Sequence, residues 1–395
     1  MRTRLIGHRP LVLVLAAAGI AACHAAPNVA ATPVSQAPPA TAPDTAVAPA
    51  KADSASSSNE DHQFYHHLPY GSESEFNPAS LIVNGGFDEL RVQENRDIFT
   101  LPYGRGFHAV FYSITHPDRV LRQYGYGRWM THEVLPLSLK TAGGGQWTPN
   151  YELHLFAGGM TYVRMSEWYQ QHGVKHARLA AGLTVFTWHF TTEMIETNGI
   201  CCNDEDGLTD LYLFDTGSIL LWNQAWIRRM FSGKIEFTDW PGQPTLSVPS
   251  NRLENAYMLA MLRAPLPHTD SWRVMTLMGS TFLLGASARV GQGLWLSAAG
   301  GYDPAENPVI DPRTGARTVT LLPSGGLFLD RNGSVLISFI SRGGESNGPT
   351  VNLYPGLIGS GAWSPGLWFQ SVRGGGYRYG IVSRYGFGLG GARPK

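Results

Sequence analysis

The sequence predicts an α+β protein, mainly helical over 61–250 and antiparallel β over 251–395. Three observations carry this prediction. Apolar residues recur at helical spacing through the middle of the chain, alternate with small and polar ones towards its C-terminus, and are reduced to Ala and Val, with no Leu, Ile, Phe, Tyr or Trp, over residues 24–60.

In the middle the pattern gives about four helices. "HPDRVLRQYGYGRWMTHEVLPLS" places Val120, Leu121, Tyr124 and Trp129 on one stripe, with Pro117 suited to a first turn and Pro136 to a stop. "YELHLFAGGMTYVRMSEWYQQHG" ends at Gly173, a residue type that closes helices. Its Gly158–Gly159 pair costs about 1 kcal/mol per Gly relative to Ala, which points to another backbone packing closely there. "KHARLAAGLTVFTWHFTTEMIETNG" is apolar on every side from Leu179 to Val185, the mark of burial or lipid contact, and Gly199 ends it. "DGLTDLYLFDTGSILLWNQAWIRRMFSG" is the fourth, with Arg228 and Arg229 near its C-terminal end, where the helix dipole favours cations.

The C-terminal part reads as about eight strands forming a small membrane barrel or barrel-like sheet, eight being the smallest number that closes one. Near the end Tyr377, Tyr379, Ile381, Tyr385, Phe387 and Leu389 share one face, while Arg378, Gly380, Val382, Arg384, Gly386 and Gly388 share the other. Large apolar groups outside and small or basic ones inside are the pattern of a strand between lipid and a polar interior. "LFLDRNGSVLISF" is a hairpin turning at Asn332–Gly333. An antiparallel meander packed on the helices is the competing architecture, and strands such as "YMLAML" suit burial on both faces. The chain closes on "GFGLGGARPK", without the terminal aromatic residue of many outer-membrane barrels.

The N-terminus sets the compartment. Arg2, Arg4 and Arg9 precede the apolar run "LVLVLAAAGIAAC", which is too short to span a membrane and reads as a signal peptide over 1–22. Ile20-Ala21-Ala22-Cys23 resembles a lipobox, which makes Cys23 the lipidated first residue. Cleavage near Ala25 or Ala26 is the alternative. Residues 23–60 form an Ala/Pro/Ser linker that lacks the apolar surface to fold and could reach on the order of 100 Å. Loss of three Arg leaves 27 basic against 30 acidic residues. That net charge of −3 offers no footprint for nucleic acid. Cys201 and Cys202 are adjacent and make no disulfide framework. His62, His66 and His67 read as a solvated linker end.

The chemistry concentrates in "HFTTEMIETNGICCNDEDGLTDLYLFD", residues 189–215. His189, Glu193 and Glu196 lie at i, i+4 and i+7 on one helix face, which is unusual in an otherwise apolar helix because buried charge is costly unless paired. An antiparallel helix pair would bring His154 level with Glu193, and Asp206 and Asp210 would arrive at the same end. His154, His189, Glu193 and Asp210 are therefore the candidate catalytic set for acid–base work. The two histidines and several carboxylates could also bind a divalent metal, but no fixed ligand spacing such as HExxH is present, so neither a metal nor another cofactor is expected. The bland reading makes Asp206 an N-cap and Asp210 a first-turn acid, with His189–Glu193 a buried structural pair.

"NYELHLFAGGMTYVRMSEWYQQHG", "TDLYLFDTGSILLW", "PSGGLFLDRNGSVL" and "NLYPG" together resemble a group of bacterial envelope proteins without an assigned activity, over most of residues 77–370. The resemblance implies an envelope location and a helix-then-strand architecture, and it transfers no catalytic residue. The leading expectation is a lipid-anchored protein on the periplasmic side of the outer membrane. Its role would be structural or in handling lipid or glycan, with membrane lipid as partner. A membrane-embedded hydrolase or lipid-modifying enzyme and a soluble periplasmic binding module are the alternatives.

Overall fold

The computed structural model describes residues 63–395, except 92–94, 137–147, 197–204, 234, 249, 280, 311–316, 344–347, 360–362 and 395, and without side chains at 148–149, 304–310, 317–320 and 394. The expected signal peptide, Cys23, the linker, His62, Gly199, and the pair Cys201–Cys202 lie outside the described residues. The chain is α+β, helices first and then a mixed open sheet.

The helical part is more broken than its apolar pattern suggests. Helix α1 (Pro78–Gly86) starts at a proline, and the Asn77 side chain caps it by accepting from the Ser80 N–H. Helices α2 (Tyr103–Thr115), α3 (Pro117–Tyr124) and α4 (Tyr126–Trp129) follow, and a π-helical turn runs over Met130–Val134. A second π-helical stretch, Thr148–Gly158, leads into α5 (Gly159–Gln171), which Gly173 closes at φ +72°. Helix α6 (Ala177–Glu196) is the longest. The expected fourth helix is divided into α7 (Glu205–Thr209), a π-helical turn over Asp210–Phe214, α8 (Asp215–Trp222) and α9 (Ala225–Ser232). Among the described residues no helix is long and apolar enough to cross a membrane.

The strands are β1 (Glu236–Pro241), β2 (Thr245–Ser247), β3 (Arg252–Glu254), β4 (Met258–Pro265), β5 (Trp272–Gly279), β6 (Phe282–Gly291), β7 (Leu294–Ile310), β8 (Arg317–Arg331), β9 (Ser334–Arg342), β10 (Thr350–Leu353), β11 (Gly366–Ser371), β12 (Gly376–Val382) and β13 (Gly388–Pro394). They form one 13-stranded sheet in the order β1-β4-β5-β6-β7-β8-β9-β10-β11-β12-β13-β2-β3. All neighbours are antiparallel except β13 and β2. Asn332 and Gly333 both take positive φ in the expected hairpin between β8 and β9.

Three expectations need correction. The sheet has thirteen strands rather than about eight, it begins at Glu236 rather than near residue 251, and it is not closed into a barrel. The reason lies in one broken hairpin. Pro241 and Pro244 bracket an interruption between β1 and β2, and Asn255, at φ +59°, marks the matching break between β3 and β4. The first half of the hairpin bonds β1 to β4, the second bonds β2 to β13 and β3, and the ladder ends at β1 and β3. The edge of β3 is not bare: Asp97 bridges to Arg252, and the Leu253 N–H donates to the Arg96 carbonyl.

Two cores result. The helices pack on one face of β1 and β4, where Phe64, Met160, Met165, Val185 and Trp222 bury against Phe237, Met258 and Ala260. Alternate residues of the same strands point the other way, so Trp240, Leu259 and Met261 join Met275, Leu277, Leu283, Phe328, Ile340 and Tyr354 in a second cluster. An ion triad ties α5 to the first core. The fully buried Arg164 pairs with Glu73 and, at 3.2 Å, with Asp239, beneath the Phe76 ring. Thr161 also donates to Asp239.

On the same helix the Glu167 carboxylate accepts the N–H groups of Phe64 and Tyr65, at 2.7 and 2.8 Å. Burial pushes its carboxyl up to about 7, and those two N–H groups only partly offset it. The folded state therefore holds a proton that the unfolded state has released. Glu167 favours folding most below pH ~4.5, and that contribution is lost as pH rises towards 7. Denaturation curves at pH 5 and pH 7 should show Glu167→Gln abolishing a loss on the order of 2 kcal/mol. Parallel pH profiles for variant and parent would contradict this assignment.

Candidate functional site

Helix α6 carries His189 and Glu193 one turn apart, both buried, as the sequence spacing required. The two π-helical stretches supply the other groups. His154 lies in the Thr148–Gly158 stretch, Asp210 begins the Asp210–Phe214 turn, and Asp215 follows directly at the head of α8. His154 Nδ1 lies 3.1 Å from Asp215 Oδ1, and His189 Nδ1 lies 2.6 Å from the same oxygen. The other ring nitrogen of His154, Nε2, is 3.2 Å from Asp210 Oδ2. The two imidazoles meet edge to face at 4.6 Å. One atom each from His154, Glu193 and Asp210 lie within 4.8 Å of one another, as do one each from His154, His189 and Asp215.

All four residues singled out from the sequence, His154, His189, Glu193 and Asp210, are thus brought together. Glu196 stands at the exposed last position of α6, outside this grouping. Asp206 lies within α7 rather than ahead of it, so it is not an N-cap; its carboxyl bonds to the buried Glu133 instead. Asp215 is the residue that helical periodicity missed. Asp210 and Asp215 diverge on a 3.6-residue helix, but in a π-turn residues five apart stack, and the Asp215 N–H does donate to the Asp210 carbonyl.

The glycine pair permits the approach of the histidines. A Cβ on Gly158 would sit 3.0 Å from the His189 ring, and one on Gly159 would sit 2.1 Å from Trp222. Side chains, not a second backbone, occupy the space the glycines leave.

The two aspartates differ electrostatically. Burial raises the Asp210 carboxyl to about 7, opposed by His154 and reinforced by Asp215. Burial would raise Asp215 too, but the charge of His189 and hydrogen bonds from both histidines outweigh it and hold that carboxyl at about 2. One proton donor–acceptor near neutrality beside a fixed carboxylate is the pairing acid–base chemistry uses. The cluster is enclosed, however: His154 is its most accessible member, with 12% of the side chain exposed.

A second feature covers a larger area. On strands β5 to β13 the residues facing away from the sheet interior are large, apolar and exposed, including Leu284, Leu296, Leu327, Phe369, Ile381 and Leu389. Their neighbours in sequence point inward and are frequently polar. Arg263 bonds Asp330 and Glu236, each at 2.8 Å, Arg91 bonds Asp303 at 2.6 Å, and Asn352 bonds Ser338 at 2.9 Å. Ser287 and Ser297 bond each other at 2.7 Å across β6 and β7. Much of the polar interior is paired internally while large apolar side chains are exposed on the outer face, the reverse of a water-soluble sheet. Small residues on β7 and β8 leave a groove of about 500 Å³ in that face, between Leu284, Leu327 and Phe339.

Comparison with family models, with curated proteins and with solved structures gave no match for this chain.

Proposed function

We propose that this is a cell-envelope protein of the outer membrane whose sheet contacts lipid directly, with Cys23 as a lipidated anchor and a structural or lipid-handling role. The observation that supports the reading is the inversion of the sheet: exposed large apolar side chains outside and a hydrogen-bonded, charged interior. Monomeric soluble proteins rarely expose apolar patches beyond a few hundred Å². Lipid satisfies such a face without a protein partner, and an acyl chain suits the apolar groove of β7 and β8. Affiliation with the envelope group that the sequence resembles belongs to the same proposal. A water-soluble periplasmic binding module accords poorly with a face of this kind.

A second reading, a lipid-modifying enzyme, is favoured by the convergence of His154, His189, Glu193 and Asp210. The enclosure of these groups supports it less than the sheet supports lipid contact.

The test separates anchor from sheet. Full-length chain carrying Cys23→Ala is expressed and its membranes are washed with carbonate. Retention in the membrane pellet is the expected result. Complete release would leave the lipid on Cys23 as the sole attachment and sink the proposal.

A further inference from the structure

We propose that His154, His189 and Asp215 bind a divalent transition-metal ion of the zinc class, with Asp210 positioning His154. Three segments distant in sequence deliver two imidazoles and a carboxylate to one buried point, with ligand atoms close enough to share an ion. A tetrahedral zinc site holds N and O ligands at about 2.0–2.2 Å, which places them roughly 3.4 Å apart. The observed contacts of 2.6 and 3.1 Å to Asp215 need only a small expansion to reach that spacing.

Two independent features point to a ligand rather than to hydrogen bonding alone. Asp215 Oδ2 is buried and accepts no hydrogen bond among the described residues, although its carboxylate is the proposed ligand. A buried carboxylate oxygen left in this way is costly unless a cation or donor completes it. The arrangement about His154 is also that of a metal ligand: with Nδ1 on the ion, Nε2–H donates to Asp210, the carboxylate–histidine pairing that orients metal-bound imidazoles. Glu193 lies within 4.8 Å of His154 and Asp210. Two imidazoles with carboxylate favour zinc-class ions over calcium or magnesium, which prefer oxygen alone.

The ligands follow no short spacing. His154 and Asp215 owe their positions to π-helical turns.

The experiment uses the full-length protein in detergent, with Cys201 and Cys202 replaced by Ser to remove thiol ligands. The protein is stripped with chelator and titrated with Co²⁺, followed by visible absorption and by competition with Zn²⁺. One ion per chain with an intense tetrahedral band is expected. His189→Gln and Asp215→Asn should each weaken binding by about 100-fold or more, and Asp210→Asn by roughly 10–100-fold. His116→Ala, at an exposed histidine, should leave it unchanged. Should the ligand variants fail to fold, the Co²⁺ spectrum of the parent decides by itself. Absence of the band, or Co²⁺ affinity in folded Asp215→Asn equal to that of the parent, overturns the proposal.

Discussion

Replacing Arg164 with alanine should destabilise the protein by roughly 3–5 kcal/mol, because it strands two buried carboxylates without a counter-charge. Glu73 and Asp239 are 3% and 2% exposed, and both bond to Arg164. Burial already raises the Asp239 carboxyl, and Arg164 is the main group opposing that rise. The deficit should therefore shrink as pH falls, since the stranded carboxylates can be neutralised by protonation. Arg164→Met combined with Glu73→Gln and Asp239→Asn should recover much of the loss, since neutral groups of similar shape do not carry the cost of unpaired charge. Denaturant unfolding of the single and triple variants measures both effects. A loss under about 1 kcal/mol for Arg164→Ala would mean that water reaches the triad, contrary to its burial.

The second large effect concerns the outer face of the sheet. Arginine at Leu296 or Leu327 should cost roughly 2–4 kcal/mol if those positions lie near the middle of a bilayer. On a surface facing water the same change would fall within about 0.5 kcal/mol of zero. The side chains are 48% and 52% exposed and lie on neighbouring, paired strands. Arginine at Asp270, in the β4–β5 turn, provides the control. Reversible unfolding in lipid vesicles should show a penalty at 296 and 327 and none at 270. Equal, small effects at all three would place the sheet's outer face in water.

These predictions rest on features that differ in how far the sequence revealed them. The alternation at the C-terminal end was legible because it is encoded residue by residue: Tyr379, Ile381, Tyr385, Phe387 and Leu389 are exposed, and Gly380, Val382 and Gly386 are buried. The same alternation hid a turn. The Gly386 N–H donates to the Ser383 carbonyl there, which divides one expected strand into β12 and β13. Ser383 and Tyr385 keep the period of two through that turn, so nothing in the spacing announced it. Closure was not legible either. It depends on where β2 finds its partner, and that contact joins residues near 246 to residues near 389.

The cluster in the helices shows the same division. His189 and Glu193 follow from ordinary helical spacing, and His154 was reached by supposing two helices antiparallel. Asp215 needed a local period other than 3.6, which composition does not signal. Gly158 and Gly159 were legible as a cost, but whether a side chain or a backbone occupied the space they leave was not.

Direct contact between the sheet and lipid is tested by nitroxide labels placed one at a time at Leu284, Leu296, Leu327 and Ile381 of the full-length protein, with its cysteines at 201 and 202 replaced by serine. With the protein in bilayers, collision rates with oxygen and with a water-soluble nickel complex are compared by electron paramagnetic resonance. Oxygen access should be high and nickel access low at all four positions, and the reverse at a label on Asp270. Nickel access at the four sheet positions equal to that at Asp270 would show that they face water, and the lipid-contacting role would be wrong.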